Sequence, residues 1–246
     1  KTFKYSWGMK KSGKYFRDNR NKYKFAFLED GFIHSFGIKK QKVPLAICFD
    51  KKGIYYNTNI KNDLSNYLQA DLSIKDFKRS KNLIRLWKKY SLSKYNFSTY
   101  IEPPSTPYIL LVDQTYGDLS LEFGDSDKKA FEKMFDFAAK NWPNHKLAIK
   151  VHPDVINSKK SGNFHKKLYL KKNVIILSEN GQINKLIEFS TAVCVVTSQV
   201  GFEALIYGKD VHVFGRPFYS ELGLTIDQKT SNKKNKNINI SLEKLV

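Results

Sequence analysis

The chain has 246 residues, 41% of them hydrophobic and 14% aromatic, which is material for one large domain or two small ones. Its apolar residues come in short runs, none near the roughly 18 to 20 uninterrupted positions of a membrane-spanning helix, and the stretch that begins at Lys1 carries no signal-peptide pattern. The formal charge of +20, from 43 Lys and Arg against 23 Asp and Glu, reflects a Lys-, Asn- and Ile-rich composition and calls for an anionic partner. Zinc-finger spacing, an RNP-type aromatic signature and a basic heptad region are all missing, so nucleic acid is the weakest candidate; acidic substrates and anionic lipid headgroups stand ahead of it.

In chain order, strands are predicted over 25–28, 45–49 and 54–56, followed by a helix over 74–90. Segment 101–107 holds Pro103, Pro104 and Pro107 and reads as a linker. Beyond it the pattern alternates regularly. A buried strand over 108–112 leads to a helix over 127–142, whose Ala130, Phe131, Met134, Phe135 and Ala138 recur at helical spacing. Strands over 147–151 and 174–177, a helix over 183–189, a strand over 192–196, a helix over 199–207 and a strand over 211–214 complete the series. The polar, lysine-rich stretch 228–237 reads as a mobile loop and 242–246 as a short terminal helix. The expected fold class is α/β, with two Rossmann-like lobes facing a cleft: an N-terminal α/β lobe over 1–105 and a C-terminal lobe over 106–246 built on a parallel sheet. Cys48 and Cys194 lie far apart in apolar runs, which predicts buried thiols rather than a metal pair.

Ligands of α/β sheets gather beyond the carboxyl ends of the strands, so the polar residues after each strand are the candidates. Glu29-Asp30-Gly31 can place a carboxylate in the cleft as general acid or base, or be an ordinary acidic turn. Asp113-Gln114-Thr115-Tyr116-Gly117-Asp118 offers carboxylates able to attack an anomeric carbon, or a polar loop. Lys150-Val151-His152-Pro153 puts two phosphate-binding side chains on one side of an extended backbone. Thr197-Ser198-Gln199-Val200-Gly201-Phe202-Glu203 starts a helix with hydroxyl residues, an anion site or a simple cap. Asp125-Ser126-Asp127 matches a metal-binding DxD pattern, but its place before a helix favours capping. His34, His145, His165 and His212 show no metal-ligand spacing.

These segments, taken in order with Trp7-Gly8, Gly53-Ile54-Tyr55-Tyr56 and Phe214-Gly215-Arg216-Pro217-Phe218-Tyr219, resemble the KpsC-like family of retaining β-Kdo transferases of capsular polysaccharide biosynthesis. The resemblance runs from about residue 5 to about Asp227. It implies a GT-B-like architecture and a CMP-Kdo donor, bound on the C-terminal side without an essential metal or other cofactor. It also implies transfer with retention through a covalent Kdo adduct, with Asp118 as nucleophile, Asp113 in reserve and Glu29 or Asp30 as acid/base. Lys150, His152, Pro153, Thr197, Ser198 and Gln199 would hold CMP, with His152 assisting the departing phosphate, while Glu203 would bind the ribose or buttress its helix. The implied partners are a Kdo-primed lyso-phospholipid, the cytoplasmic face of the inner membrane, and a second transferase module in the same polypeptide. Two departures stand out: His34 replaces an expected arginine, and Ser220-Glu221-Leu222 replace Ala-Gly-Trp. An inverting CMP-sialic acid transferase using the acidic turn as base, and a non-catalytic basic module binding membrane or polymer, are the alternatives.

Overall fold

The computed structural model describes residues 3–19, 21–36, 45–97, 99–157, 160–229 and 238–246. The chain opens with β1 (Phe3–Trp7), α1 (Lys11–Asp18), β2 (Lys24–Asp30), β3 (Ser35–Phe36), β4 (Ile47–Asp50), α2 (Asp63–Gln69), α3 (Ile74–Lys89) and β5 (Tyr95–Asn96). A three-stranded sheet has the order β1-β2-β4, with β1 parallel and β4 antiparallel to β2, and β3 pairs with β5. Alternation along β2 sends Phe25 and Phe27 into a small core with Met9, Ile54 and Phe123. The expected strand over 54–56 is instead a turn. Asp50 Oδ1 accepts from the amides of Lys52 (2.7 Å) and Gly53 (2.9 Å), and Asn57 N donates to Ile54 O, so Ile54 reaches the core without a strand partner.

The second half contains β6 (Tyr108–Val112), α4 (Leu119–Phe123), α5 (Lys129–Asn141), β7 (Lys146–Lys150), α6 (Pro153–Ile156), a 3₁₀ turn at Lys166–Leu170, β8 (Val174–Leu177), α7 (Asn184–Phe189), β9 (Ala192–Val195), α8 (Gln199–Ile206), β10 (Val211–Val213), β11 (Ile226–Asp227) and α9 (Leu242–Leu245). Six parallel strands lie in the order β11-β10-β9-β6-β7-β8, which confirms the parallel sheet expected for this half. Strands β6 and β9 are buried throughout, as expected for strands covered on both faces. From β6 the chain builds outward through β7 and β8, then returns to lay β9, β10 and β11 on the other side. The boundary between β6 and β9 is therefore the point where strand order reverses, and a crevice opens there.

One sheet face packs on α5 through Phe131, Met134 and Phe135; the other packs on α8 through Phe202 and Leu205. Trp87 of α3, 2% exposed, belongs to that second core, so α3 lies against α8 and α9. Of the polar stretch 228–237, only 228 and 229 fall within the described residues, and Lys229 pairs with Asp125 at 3.2 Å. Cys194 is buried, whereas Cys48 on β4 is only half-buried.

Candidate active site

A cavity of about 510 Å³ opens beyond the carboxyl ends of β2, β6, β7 and β9. Every residue given a catalytic or donor-binding role from the sequence lines it: Glu29, Asp30, Asp113, Asp118, Lys150, His152, Pro153, Thr197, Ser198, Gln199 and Glu203. Their environments differ, and that sorts their chemistry.

Asp118 is half-buried and caps α4, its Oδ1 accepting from Ser120 N at 2.9 Å. Gly117 ahead of it has φ +74 and open space where a Cβ would stand, so backbone conformation rather than crowding calls for glycine. Asp113 is 1% exposed and turned inward, its Oδ1 accepting from Gln114 N (2.9 Å) and Asn163 N (3.0 Å). Burial pushes its carboxyl up to about 6, against the pull of those amides. A Cβ on Gly162 would stand 2.1 Å from Asp113 Oδ2, so the 162–163 backbone closes over this side chain. Gln114 ties the ends of two strands together. Its Oε1 accepts from Thr197 N (2.9 Å), its Nε2 donates to Thr197 Oγ1 (3.0 Å), and Ser120 Oγ shares the same hydroxyl at 3.0 Å.

Glu29 and Asp30 end β2. Burial, with the neighbouring Asp30 charge, raises the Glu29 carboxyl above its usual value, while the Asp30 amide, Lys94 and Tyr56 pull it down. Tyr56 Oη accepts from Met9 N at 2.9 Å. Asp30 Oδ1 lies 3.1 Å from His34 Nδ1, so the histidine that replaces the expected arginine faces the acidic turn. Lys94 lines the same cavity. Burial pulls its ammonium down, but the charges of Tyr95, Asp30, Glu29 and Asp118 outweigh that and hold it above its ordinary value. A cation thus shares the cavity with these three carboxylates.

Just beyond β7 and beside the Tyr95 ring (centroids 6.5 Å apart), His152 Nδ1 accepts from Asp154 N at 3.1 Å, which puts the ring proton on Nε2, and burial lowers its pKa. Lys150 is buried, and its Nζ donates to Val151 O (2.7 Å) and Glu179 O (3.1 Å); burial pulls it down to about 8. Ser198 caps α8 through Val200 N at 3.2 Å. Gln199 Nε2 reaches Phe32 O at 2.7 Å and so joins α8 to the segment after β2. Glu203, 1% exposed, accepts from Ser93 Oγ (2.7 Å) and Lys94 N (3.0 Å), and burial lifts it to about 7. Of the two roles open to it, buttressing matches these contacts. Among the described residues no group of three or more His, Cys, Asp or Glu has metal-site geometry, and Asp127 of the DxD pattern caps Lys129 N at 2.9 Å.

A family model described as "Capsule polysaccharide biosynthesis protein" matches residues 5–85 and 80–243. The chain belongs to this family. Similar relatives include the capsule polysaccharide modification protein LipA of Neisseria meningitidis serogroup A, 32% identical over 83% of this chain and 30% of LipA. The lipopolysaccharide-processing protein LpsZ of Rhizobium meliloti is 29% identical over 84% of this chain and 49% of its own length. This capsule-family chain therefore spans less than half of these relatives. Among solved structures it is similar to the KpsC β-Kdo 2,4 transferase of Thermosulfurimonas dismutans, with TM-score 0.89 and 30% identity over 98% of this chain and 77% of that one. The KpsC β-Kdo 2,7 transferase of the same organism gives TM-score 0.74 and 26% identity over 100% of this chain and 75% of that one. The two-lobed α/β expectation is met by this likeness.

Sequence reasoning on the capsule-family chain missed Lys94 and Tyr95, which line the cavity but follow a helix rather than a strand. It also gave Tyr56 no role. The Tyr55-Tyr56 pair in a Gly-led turn was the available signal.

Proposed function

We propose that the chain is a glycosyltransferase that moves Kdo from CMP-Kdo, with retention, onto a Kdo-primed lyso-phospholipid linker for capsular polysaccharide. The observation that carries this reading is the single cavity that collects Asp118, the Glu29–Asp30 turn, Lys94 and His152. The 30% identity to a β-Kdo 2,4 transferase across nearly the whole chain supports the sugar.

In the first step an Asp118 carboxylate oxygen attacks the anomeric carbon while the bond from that carbon to the CMP phosphate oxygen breaks, and CMP leaves with the electron pair. His152 Nε2–H donates to the departing phosphate, and the amides at the start of α8 face the same charge. No metal takes part in this scheme. Lys94 binds the sugar carboxylate. In the second step Glu29 takes the proton of the acceptor hydroxyl, whose oxygen attacks the same carbon and releases Asp118. Two inversions give retention. The raised Glu29 pKa brings this base nearer to neutral pH, where proton transfer is most effective. Lys150, committed to two carbonyls, shapes the loop after β7 rather than binding phosphate. Asp113, enclosed and doubly bonded to amides, holds the 162–163 segment, which supports Asp118 over Asp113 as nucleophile.

Intact-protein mass spectrometry with freshly generated CMP-Kdo tests the scheme. A gain of one Kdo residue in the parent and in Asp113→Asn, absent in Asp118→Asn, is expected. Transfer without an adduct and with an inverted product would replace it by direct displacement with Glu29 as base. Neither adduct nor CMP release with a primed lipid would refute a Kdo transferase.

A further inference from the structure

Helix α3 carries Lys75, Lys78, Arg79 and Lys81 in its first half and Arg85, Lys88 and Lys89 in its second, all exposed. Asp76 is its one acid, and that carboxylate is engaged by Ser73 Oγ at 2.5 Å in the N-terminal cap. Among the described residues none of these cations forms an ion pair. Helical geometry aligns Lys78, Asn82, Arg85 and Lys89 as one outward ridge, opposite the buried Ser80 and Trp87 that fasten the helix to the body. The charge is thus presented on a rigid support.

Beside the ridge, Ile74 is 77% exposed, and Phe77 is exposed with Lys81 Nζ 5.0 Å from its ring. Apolar side chains flanked by cations suit a headgroup boundary, where the former enter the acyl edge and the latter stay among phosphates. A soluble polyanion would offer Ile74 nothing. A few residues past the end of α3 come Ser93, Lys94 and Tyr95, all lining the cavity.

We infer that the outer face of α3 docks this protein on an anionic phospholipid bilayer, independently of which sugar the cavity accepts. Co-sedimentation with phosphatidylglycerol-containing and pure phosphatidylcholine vesicles tests this without any donor present. Removing three ridge cations in Lys78→Gln/Arg85→Gln/Lys89→Gln should weaken binding to anionic vesicles roughly a hundredfold, at about fivefold per cation, with the thermal midpoint unchanged. An equal charge removal on α5, Lys129→Gln/Lys133→Gln/Lys140→Gln, should cost less than about tenfold, since those cations lie off the docking face. Ile74→Ser should lower binding severalfold with no change in charge. Failure of the parent to bind, or equal losses in the two triple variants, overturns the inference. So does an inert Ile74→Ser variant combined with full competition by a soluble acidic polysaccharide, which would assign the ridge to a polymer chain.

Discussion

Replacing Glu203 by Gln should make the stability of this protein less sensitive to alkali. Glu203 is 1% exposed, and burial lifts its carboxyl from an ordinary 4.5 to about 7, against the pull of Ser93, Lys94 and Gln199. The folded state therefore holds this proton more tightly than the unfolded chain, and stability falls as pH rises from the unfolded value through the folded one. Between about pH 5.5 and 8.5 that loss amounts to roughly 2 kcal/mol for such a group. A glutamine in the same place keeps an acceptor for Lys94 N and turns a donor towards Ser93 Oγ, which can accept. Its own cost is about 1 kcal/mol and does not depend on pH. Equilibrium urea unfolding of parent and Glu203→Gln at both pH values should show their difference move in favour of the variant by roughly 2 kcal/mol. A difference that stays constant, or moves in favour of the parent, would refute the claim that a buried, proton-retaining carboxyl sits under the Lys94 loop.

Gly8 has φ +53, and a Cβ there would stand 2.5 Å from Tyr56 Oη and 2.6 Å from Glu29 Oε2; Gly8→Ala should displace the acid and lower the transfer rate at least about tenfold, with donor affinity retained in a binding titration. Lys94→Gln should raise KM for the sugar-acid donor by about ten- to a hundredfold through loss of a charge-assisted contact, with little change in thermal midpoint; unaltered KM in initial-rate measurements would remove Lys94 from sugar binding. Gly201 packs against Tyr219, whose Oη would lie 2.2 Å from an added Cβ. Gly201→Ala should therefore destabilise by about 1–3 kcal/mol, and calorimetry should find the loss partly relieved in the double variant with Tyr219→Phe.

The parallel half was legible because its signals are simple: Tyr108–Val112 is buried at every position, and α5 repeats its apolar residues on one stripe. The first half hides its elements. In β1 the large side chains Tyr5 and Trp7 are exposed, so a period-two pattern exists but does not mark a core. Helix α1 buries only Gly13, which sits against the Gly8 carbonyl, and so offers no apolar stripe to read. Ile54 is buried by a turn rather than a strand. At the site, groups that directly follow strands could be found from the rule that ligands gather there. Lys94 and Tyr95, just before and at the start of the two-residue strand β5, are carried in by tertiary packing with no spacing in the chain to mark them, while Tyr56 arrives on a turn whose one sign was the Gly53-led Tyr55-Tyr56 pair.

The seating of Trp87 in the larger core bears on how this cleft can open and shut. Helix α3 precedes the proline-bearing segment 101–107, yet it is bolted to α8 and α9 and must travel with the six-stranded sheet. A swing of the β1-β2-β4 sheet therefore pivots ahead of α3, not at Pro103 and Pro104. Such a swing has to break the hydrogen bond from Gln199 to Phe32 O and slide the Phe32 ring off Phe202 and Phe218, now 5.5 and 5.2 Å away. Glu29 and Asp30 sit on the moving arm just before that latch, so the gap between the acid pair and Asp118 is held by this amide, by the tilted rings of Phe32, Phe202 and Phe218, and by Phe123 of α4 in the core beneath β2.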